Sequence, residues 1–494
     1  MLPLLIKGGG RAVLNWARYL ERVVKERVRG KNLGSHSFAR LYFNFASTAF
    51  FTFLDRYSKK TLGSTTPFID TAQCFDAFSL KFCRDFTCRN LSYSSGHSSI
   101  EDEIVPYLSA RSLSLLAFVQ SSTDVEVLNF HYFEYMKALQ EKNLPRDLID
   151  VEFDEFSTII DFFSKKQAKP DVRDFFERRL KAGQGVSAFK KIINALLAPY
   201  SRRLAELLHV ILHPNVVFAS NISDAQIGAR LAELIAESKE RGLLPDNFAC
   251  DFAEYDSSQY SLSPNLNSLM MAAMGAPPKL IDLYRNMRSS WVLCDDMMKL
   301  YGHEKMHSGE PFTLVGNTFF GMCVIAFALD FDELVYAAFK GDDSALNATN
   351  VRFNNSAMCW CRDRGLQLKD EYPPHMEFAG MFITPFGFYP DVIRKCVKFM
   401  STVFRDLRHY KQAVLNLDAD LSCITSSEHA QFGAIACSEY YSFINRTYSS
   451  VSAEHVHMLL SWLHRQKSVD YDDLPDFNRD VLTFLHSQPD VFIN

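Results

Sequence analysis

The sequence predicts an α+β fold, and three observations carry that prediction. Leu334-Val335-Tyr336-Ala337-Ala338-Phe339 runs into Lys340-Gly341-Asp342-Asp343, and a second apolar-rich run follows. That pattern reads as strand, tight turn, strand, because a Gly-Asp pair suits the positive φ angles of a two-residue hairpin. Asn247 to Asp251 reads as a short apolar strand ending in a carboxylate. Around these strands, Asn265–Ala273, Lys279–Trp291 and an apolar run ending near Leu329 carry helical patterning, and the breaker Gly275-Ala276-Pro277-Pro278 separates the first two.

Bulk properties set the frame. A chain of 494 residues exceeds one hydrophobic core and divides into subdomains. With 47% hydrophobic and 22% charged residues, its composition is that of an ordinary globular protein. The net charge of −5 excludes an overall basic balance, so any nucleic-acid site is a local patch. Eleven cysteines at scattered spacings read as reduced cytosolic thiols. No uninterrupted apolar run reaches membrane-span length; Phe43 to Leu54 is too short and contains Asn44, Ser47 and Thr48. Met1 to Ile6 stops at Lys7, too soon for a signal peptide.

Within residues 1–150, Arg11 to Lys31 reads as a basic helix, either a solvated surface helix or one lying on an anionic membrane or RNA. Cys74, Cys83, Cys88 and His97 match no compact pair of zinc ligands. From Ser164 to Arg203 eleven basic residues face three acidic ones, among them Lys165, Lys166, Arg173 and Lys181. Inside this patch, Lys181-Ala182-Gly183-Gln184-Gly185 combines cations with two glycines, Gly183 and Gly185, that let backbone approach a phosphate closely. It is no Walker loop, because no Gly-Lys-Ser/Thr follows. Val186–Leu197 and Ala205–Leu212 read as helices.

Asp251 at a strand end suits a hard cation, and Asp256 follows five residues later. Ser308-Gly309-Glu310-Pro311-Phe312-Thr313 leads into the helix ending near Leu329, where Thr313 and Asn317 share a face. Glu377–Ile383 reads as a hairpin strand. The chain turns helical near Asp391, with Arg394, Lys395, Lys398, Arg405, Arg408 and Lys411 along it, and Tyr440–Leu463 continues as amphipathic helix. Asp470–Asp480 is acidic and solvated.

The order of these pieces resembles the RNA-dependent RNA polymerases of positive-strand RNA viruses, most closely the alphavirus-like superfamily with its hepatitis E-type, togavirus-type and related plant and insect virus members. A basic Lys-Ala-Gly-Gln-Gly segment, Asp-x4-Asp, Ser-Gly-x3-Thr-x3-Asn and Gly-Asp-Asp follow one another between about Ser164 and Lys398. Tyr255-Asp256-Ser257-Ser258-Gln259 is similar to the superfamily's Phe-Asp-x-Ser/Thr-Gln. One departure stands out: where the family's helix often reads Asn-Thr-x-x-Asn, the last position is Gly321.

The resemblance implies a right-hand polymerase with an antiparallel palm sheet backed by helices. It assigns an N-terminal extension to 1–150, fingers to 151–245, palm to 246–385 with a fingers insertion at about 265–305, and thumb to 386–494. It implies template-directed RNA synthesis from ribonucleoside triphosphates with two Mg²⁺ or Mn²⁺ ions held by Asp251, Asp342 and Asp343. Lys369 matches the family's lysine beyond the Gly-Asp-Asp hairpin and is a general-acid candidate toward pyrophosphate. Asp256, Ser308 and Asn317, with Thr313 in support, would recognise the ribose 2′-hydroxyl. The triphosphate and RNA fall to the Lys165, Lys166, Arg173, Lys181, Gly183 and Gly185 region, with the division of labour open. Implied partners are single-stranded template and nascent RNA, nucleoside triphosphates, and viral helicase and capping proteins. The implied location is a membrane-associated replication complex in the host cytoplasm, with membrane attachment indirect. Helicase and capping segments are absent, so the chain is expected to be a processed product, one genome segment's product or a fragment. A reverse transcriptase is disfavoured because Lys340 replaces the Tyr of Tyr-x-Asp-Asp, and a non-catalytic scaffold because Asp251, Asp342 and Asp343 are all present.

Overall fold

The computed structural model describes residues 68–85, 104–121, 159–164 and 185–189, a few positions between 130 and 137 and, with short gaps, 191–469. The expectations for Arg11–Lys31, Cys88, His97, Lys165, Lys166, Arg173, Lys181, Gly183 and Asp470–Asp480 lie outside the described residues.

The elements in chain order are α1 (Phe68–Phe82), α2 (Ala110–Ser121), β1 (Ile159–Ser164), β2 (Gly185–Ala188), α3 (Lys191–Ile211), β3 (Val216–Phe218), α4 (Asp224–Glu240), β4 (Asp246–Phe252) and the single turn α5 (Tyr255–Ser258). Next come α6 (Leu262–Ala273), α7 (Pro278–Ser289), β5 (Trp291–Asp295), β6 (Met298–Gly302), α8 (Thr313–Ala328), β7 (Leu329–Asp330), β8 (Leu334–Lys340) and β9 (Asp343–Ala348). The remainder is β10 (Arg352–Phe353), α9 (Asn355–Asp363), β11 (Leu368–Glu371), β12 (Glu377–Phe378), β13 (Met381–Thr384), β14 (Gly387–Pro390), α10 (Val392–Ser401), α11 (Leu407–Leu421), α12 (Ser427–Ile444) and α13 (Ala453–Gln466). The protein is α+β, as expected.

Its centre is a five-stranded sheet in the order β11-β4-β9-β8-β3. The first four strands pair antiparallel, and β3 lies parallel to β8. At the middle of this sheet both faces are buried, so β8 and β3 are nearly continuous apolar runs, whereas β4 alternates. Successive residues still separate by face. Ala337, Phe339, Leu346, Phe248 and Cys250 join one core with α1, α3, α6 and α8. Ala338, Ala345 and Val217 join a second core with Ile227, Leu231 and Leu234 of α4 and with the three-stranded sheet β12-β13-β14.

Helix α8 is apolar all round and buried over thirteen of its sixteen residues, as a helix with neighbours on every side must be. Phe319 packs edge-on against Phe78 of α1 at 5.1 Å between ring centroids. Each such burial contributes about 1.5–3 kcal/mol. Cys74 and Cys83 are buried in the same core, and burial pushes both thiols up, away from the thiolate that zinc requires. A third core is built from α10–α13 around Phe382 and Tyr389.

Four readings change. Val186 belongs to strand β2, and one continuous helix, α3, replaces the two expected between 186 and 212. Pro199 lies inside that helix. The break expected there does not occur, because Ile193, Leu197, Leu204, Leu208 and Ile211 keep one apolar face on the core across it. Trp291 starts β5 instead of ending a helix, and β5–β6 is a hairpin in the sheet β2-β1-β5-β6. Glu377–Ile383 is two strands joined at Ala379 and Gly380, both with positive φ. Tyr440–Leu463 is split between α12 and α13.

Candidate active site

The Gly-Asp-Asp turn joins β8 to β9 with Lys340 paired to Asp343. Gly341 has φ +64°, while Asp342 stays negative, the pattern of a turn that needs glycine at its first central position. Asp342 and Asp343 are exposed at the tip. The turn is tethered from beneath: the Gly341 N–H donates to Thr318 Oγ1 at 2.7 Å, and that hydroxyl donates to the Leu314 carbonyl at 2.7 Å. Thr318 is fully buried in α8.

The neighbouring strands bring the other expected residues to the same end of the sheet. Ala249 pairs with Ala345, so continuing the register two residues sets Asp251 opposite Asp343. The Ser344 hydroxyl donates to the Cys250 carbonyl at 2.5 Å within that stretch. On the far side of β4, Lys369 of β11 pairs with Asp251. Three strands thus align Lys369, Asp251 and Asp343, ninety residues and more of sequence apart for the two aspartates.

A second cluster adjoins the first. Asn317 Nδ2 donates to Asp256 Oδ1 at 2.7 Å, and Gln259 Nε2 donates to Asn317 Oδ1 at 2.7 Å. The Tyr255 hydroxyl donates to the Asn317 carbonyl at 2.6 Å. Burial pushes the Asp256 carboxyl above its ordinary range, the Asn317 bond opposes this, and the negative charge of Asp342 adds to it. Tyr255 is raised by burial and again by Asp342. The tip of the Gly-Asp-Asp turn therefore lies within electrostatic reach of the Asp256–Asn317 pair.

Ser308 and Thr313 shape the loop before α8. Thr313 Oγ1 contacts the carbonyls of His307 and Glu310, each at 2.7 Å, and closes the loop on itself. The Ser187 N–H of β2 donates to Ser308 Oγ at 3.3 Å. Gly309 is required here: a Cβ at that position would lie 1.8 Å from the Ser187 carbonyl oxygen. Gly185 opens β2, so the end of the glycine segment abuts the Ser308–Gly309 loop. His307 beside it is buried, which with the Arg288 charge pushes its imidazole down to about 3.

The residues fit a hard divalent cation. The donor set at the strand ends is carboxylate oxygen, the ligand type that magnesium prefers. The negative charge of Asp342 is felt at Asp256 and Tyr255. Among the described side chains, no three carboxylate, imidazole or thiol groups converge on one point.

Sequence reasoning assigned no role to Gln259, Tyr255, Thr318, Ser263, Arg288 or Glu310. Gln259 and Glu310 were visible inside the motifs, as polar residues flanking the expected ones. Arg288 had no signal, since a lone arginine at a helix end reads as surface.

A family model described as RNA dependent RNA polymerase matches residues 115–412. The chain is 32% identical over 313 residues to the non-structural polyprotein pORF1 of hepatitis E virus genotype 1 (isolate Human/India/Hyderabad), covering 62% of this chain and 17% of the polyprotein. The pORF1 polyproteins of genotype 3 (isolate Swine/United States/swUS1) and genotype 2 (isolate Human/Mexico) are 31% identical over 313 residues and 30% over 310, with the same shares covered. The chain spans about 17% of the length of these curated relatives. With the model matched over more than half its length, the chain belongs to the RNA-dependent RNA polymerases of positive-strand RNA viruses, a family of RNA-directed nucleotidyltransferases.

Proposed function

We propose that this chain extends RNA on a single-stranded RNA template, joining the nascent 3′-hydroxyl to the α-phosphate of a nucleoside triphosphate with loss of pyrophosphate. The observation that carries this reading is the alignment of Lys369, Asp251 and Asp343 on paired strands beside the exposed Asp342. Asp251, Asp342 and Asp343 hold two divalent ions, Mg²⁺ or Mn²⁺. Ions bound there supply Lewis acidity at the hydroxyl and neutralise charge on the phosphates. Lys369 donates a proton to the pyrophosphate oxygen as it leaves.

Asp256 and Asn317 recognise the ribose. With Nδ2 of Asn317 bonded once to Asp256 and Oδ1 bonded to Gln259, one amide N–H and the second Asp256 oxygen are left for a 2′-hydroxyl. Ser308 and Thr313 set the loop that faces the sugar. Lys165, Lys166, Arg173, Lys181, Gly183 and Gly185 receive the triphosphate and template backbone. In this reading β4, β8, β9 and β11 form the palm sheet within residues 246–385, residues 151–245 are the fingers and lend that sheet its edge strand β3, and 386–494 are the thumb. The helicase and capping functions come from partners, and the complex works on host cytoplasmic membranes.

The test is nucleotide incorporation on a single-stranded RNA template with Mg²⁺ or Mn²⁺, wild type beside Asp342→Ala. Wild type is expected to extend and the variant to lose at least about a thousandfold in rate, on the scale of removing transition-state charge stabilisation. Equal extension by both would remove Asp342 from the site, and preference for deoxynucleotides would overturn the ribonucleotide reading.

A further inference from the structure

Behind the Asp256–Asn317 pair runs a buried polar chain that the chemistry above does not use. The Ser263 hydroxyl donates to Gln259 Oε1 at 2.6 Å, Arg288 Nη2 stands 3.5 Å from Ser263 Oγ, and Arg288 Nη1 is 3.4 Å from both Glu310 oxygens. Gln259 and Ser263 are fully buried, and Arg288 and Glu310 keep 1% and 4% of their surface. The chain starts at the amide that faces the sugar and ends in the residue directly after Gly309, so it connects α8 with the Ser308–Gly309 loop through α6 and α7.

A fully buried ion pair is weak as a source of stability, since desolvating both charges offsets most of their attraction. Its value here is directional. Ionised, Asp256 can only accept and itself draws the Asn317 nitrogen; protonated, it could equally donate to the amide oxygen. Only the observed orientation leaves an N–H for an incoming hydroxyl. Gln259 enforces it by donating to Asn317 Oδ1, and Gln259 is in turn oriented because its oxygen accepts from Ser263. The Arg288 charge also opposes, as a minor contribution, the burial that raises the Asp256 carboxyl.

We propose that Arg288 and Glu310 are positioning residues for sugar selection, locking Ser263, Gln259 and thereby Asn317 in the orientation that reads a ribose 2′-hydroxyl. This rests on the polymerase reading above. Neither residue touches the nucleotide; both act through Gln259.

The experiment is single-nucleotide incorporation of a ribonucleotide and its 2′-deoxy counterpart by wild type, Arg288→Met/Glu310→Met and Ser263→Ala, with kcat and KM separated. The double variant replaces the pair with apolar side chains of similar length, a change that buried pairs tolerate. Both variants are expected to raise KM for the ribonucleotide about tenfold, the size of one mis-set hydroxyl contact, and to leave KM for the deoxynucleotide unchanged. A purely structural role would depress both substrates together and leave their ratio at the wild-type value, and that result overturns the proposal. Should the double variant fail to fold, Ser263→Ala alone decides, since it removes one oxygen and severs the chain at its middle. If wild type itself shows no ribonucleotide preference, the polymerase reading of Asp256 and Asn317 fails and this inference falls with it. If wild type discriminates and both variants do so equally, only the inference fails.

Discussion

Gly321 shows how a departure from a family pattern acquires a physical reason. A Cβ there would lie 2.9 Å from the Tyr255 hydroxyl, and that hydroxyl holds the Asn317 carbonyl. Glycine at 321 therefore makes room for a tyrosine that braces the turn of α8 carrying Asn317. Gly321→Ala is expected to raise KM for ribonucleotides several-fold while lowering Tm modestly, because Tyr255 must shift by a few tenths of an ångström. A melting curve beside single-nucleotide kinetics checks it. Gly309→Ala is a harsher change, with backbone rather than a side-chain end in the way. The loop must leave β2, and loss of incorporation is expected together with a destabilisation of about 2–4 kcal/mol. His307 gives a pH signature at the same loop. Its folded pKa of about 3 lies below the unfolded value, so the unfolded state binds more protons as pH falls from about 6.5 toward 3. The stability conferred by its neutral form is complete above about 6.5 and is lost progressively below it. His307→Gln is expected to flatten Tm against pH between about 4 and 6.5; an unchanged slope would exclude His307 as the titrating group.

At the scale of elements, the Gly-Asp-Asp hairpin is positioned by a helix rather than by its own strands alone. Thr318 receives the Gly341 N–H from within α8, so the helix that presents Asn317 also fixes the turn that presents Asp342. Thr318→Val keeps the shape and removes the acceptor, leaving a partly buried N–H without its partner. The expected cost is about 1–3 kcal/mol in stability, with a fall in kcat for every nucleotide alike. An urea titration and steady-state kinetics read both. How much of this was legible in the sequence follows from the range of the signals. The β8–β9 hairpin and α8 were legible because turn chemistry and apolar run length are local. The hairpin β5–β6 was missed because Trp291 follows a helical stretch without an intervening breaker, and one side of the strand is completed by the sequence-distant parallel partner β1. The two helices expected between 186 and 212 are instead the one helix α3, because a core face continues on both sides of Pro199. Strand register aligns Lys369, Asp251 and Asp343, and a hydrogen bond joins Asp256 to Asn317, yet the Gln259–Ser263–Arg288–Glu310 chain was invisible, because its members come from two helices and two connecting stretches that only the tertiary fold brings together.

For the whole molecule, the decisive quantity is where charge sits. The chain carries −5 overall, and its central sheet ends in adjacent carboxylates that repel a polyanion. RNA must therefore be held by cations concentrated elsewhere, and the eleven basic residues against three acidic ones between 164 and 203 are the largest such concentration in the sequence. β1 and β2 bracket the stretch 165–184 of that segment and pair with each other, and β2 abuts the Ser308–Gly309 loop, so that stretch leaves and re-enters the sheet beside the candidate site. Counterion release makes such binding salt-dependent, with a slope of log affinity against log salt of about −0.7 per neutralised phosphate on a single strand. Replacing Lys165, Lys166, Lys169 and Arg173 together by alanine is expected to weaken single-stranded RNA binding and to reduce that slope by up to about 3, if each contacts one phosphate. The melting temperature is measured alongside as a control for folding. Fluorescence anisotropy with a labelled RNA between low and moderate salt measures the slope. An unchanged slope would place the RNA path elsewhere, and the basic residues of α10 and α11, Lys398, Arg408 and Lys411, would be the next to neutralise.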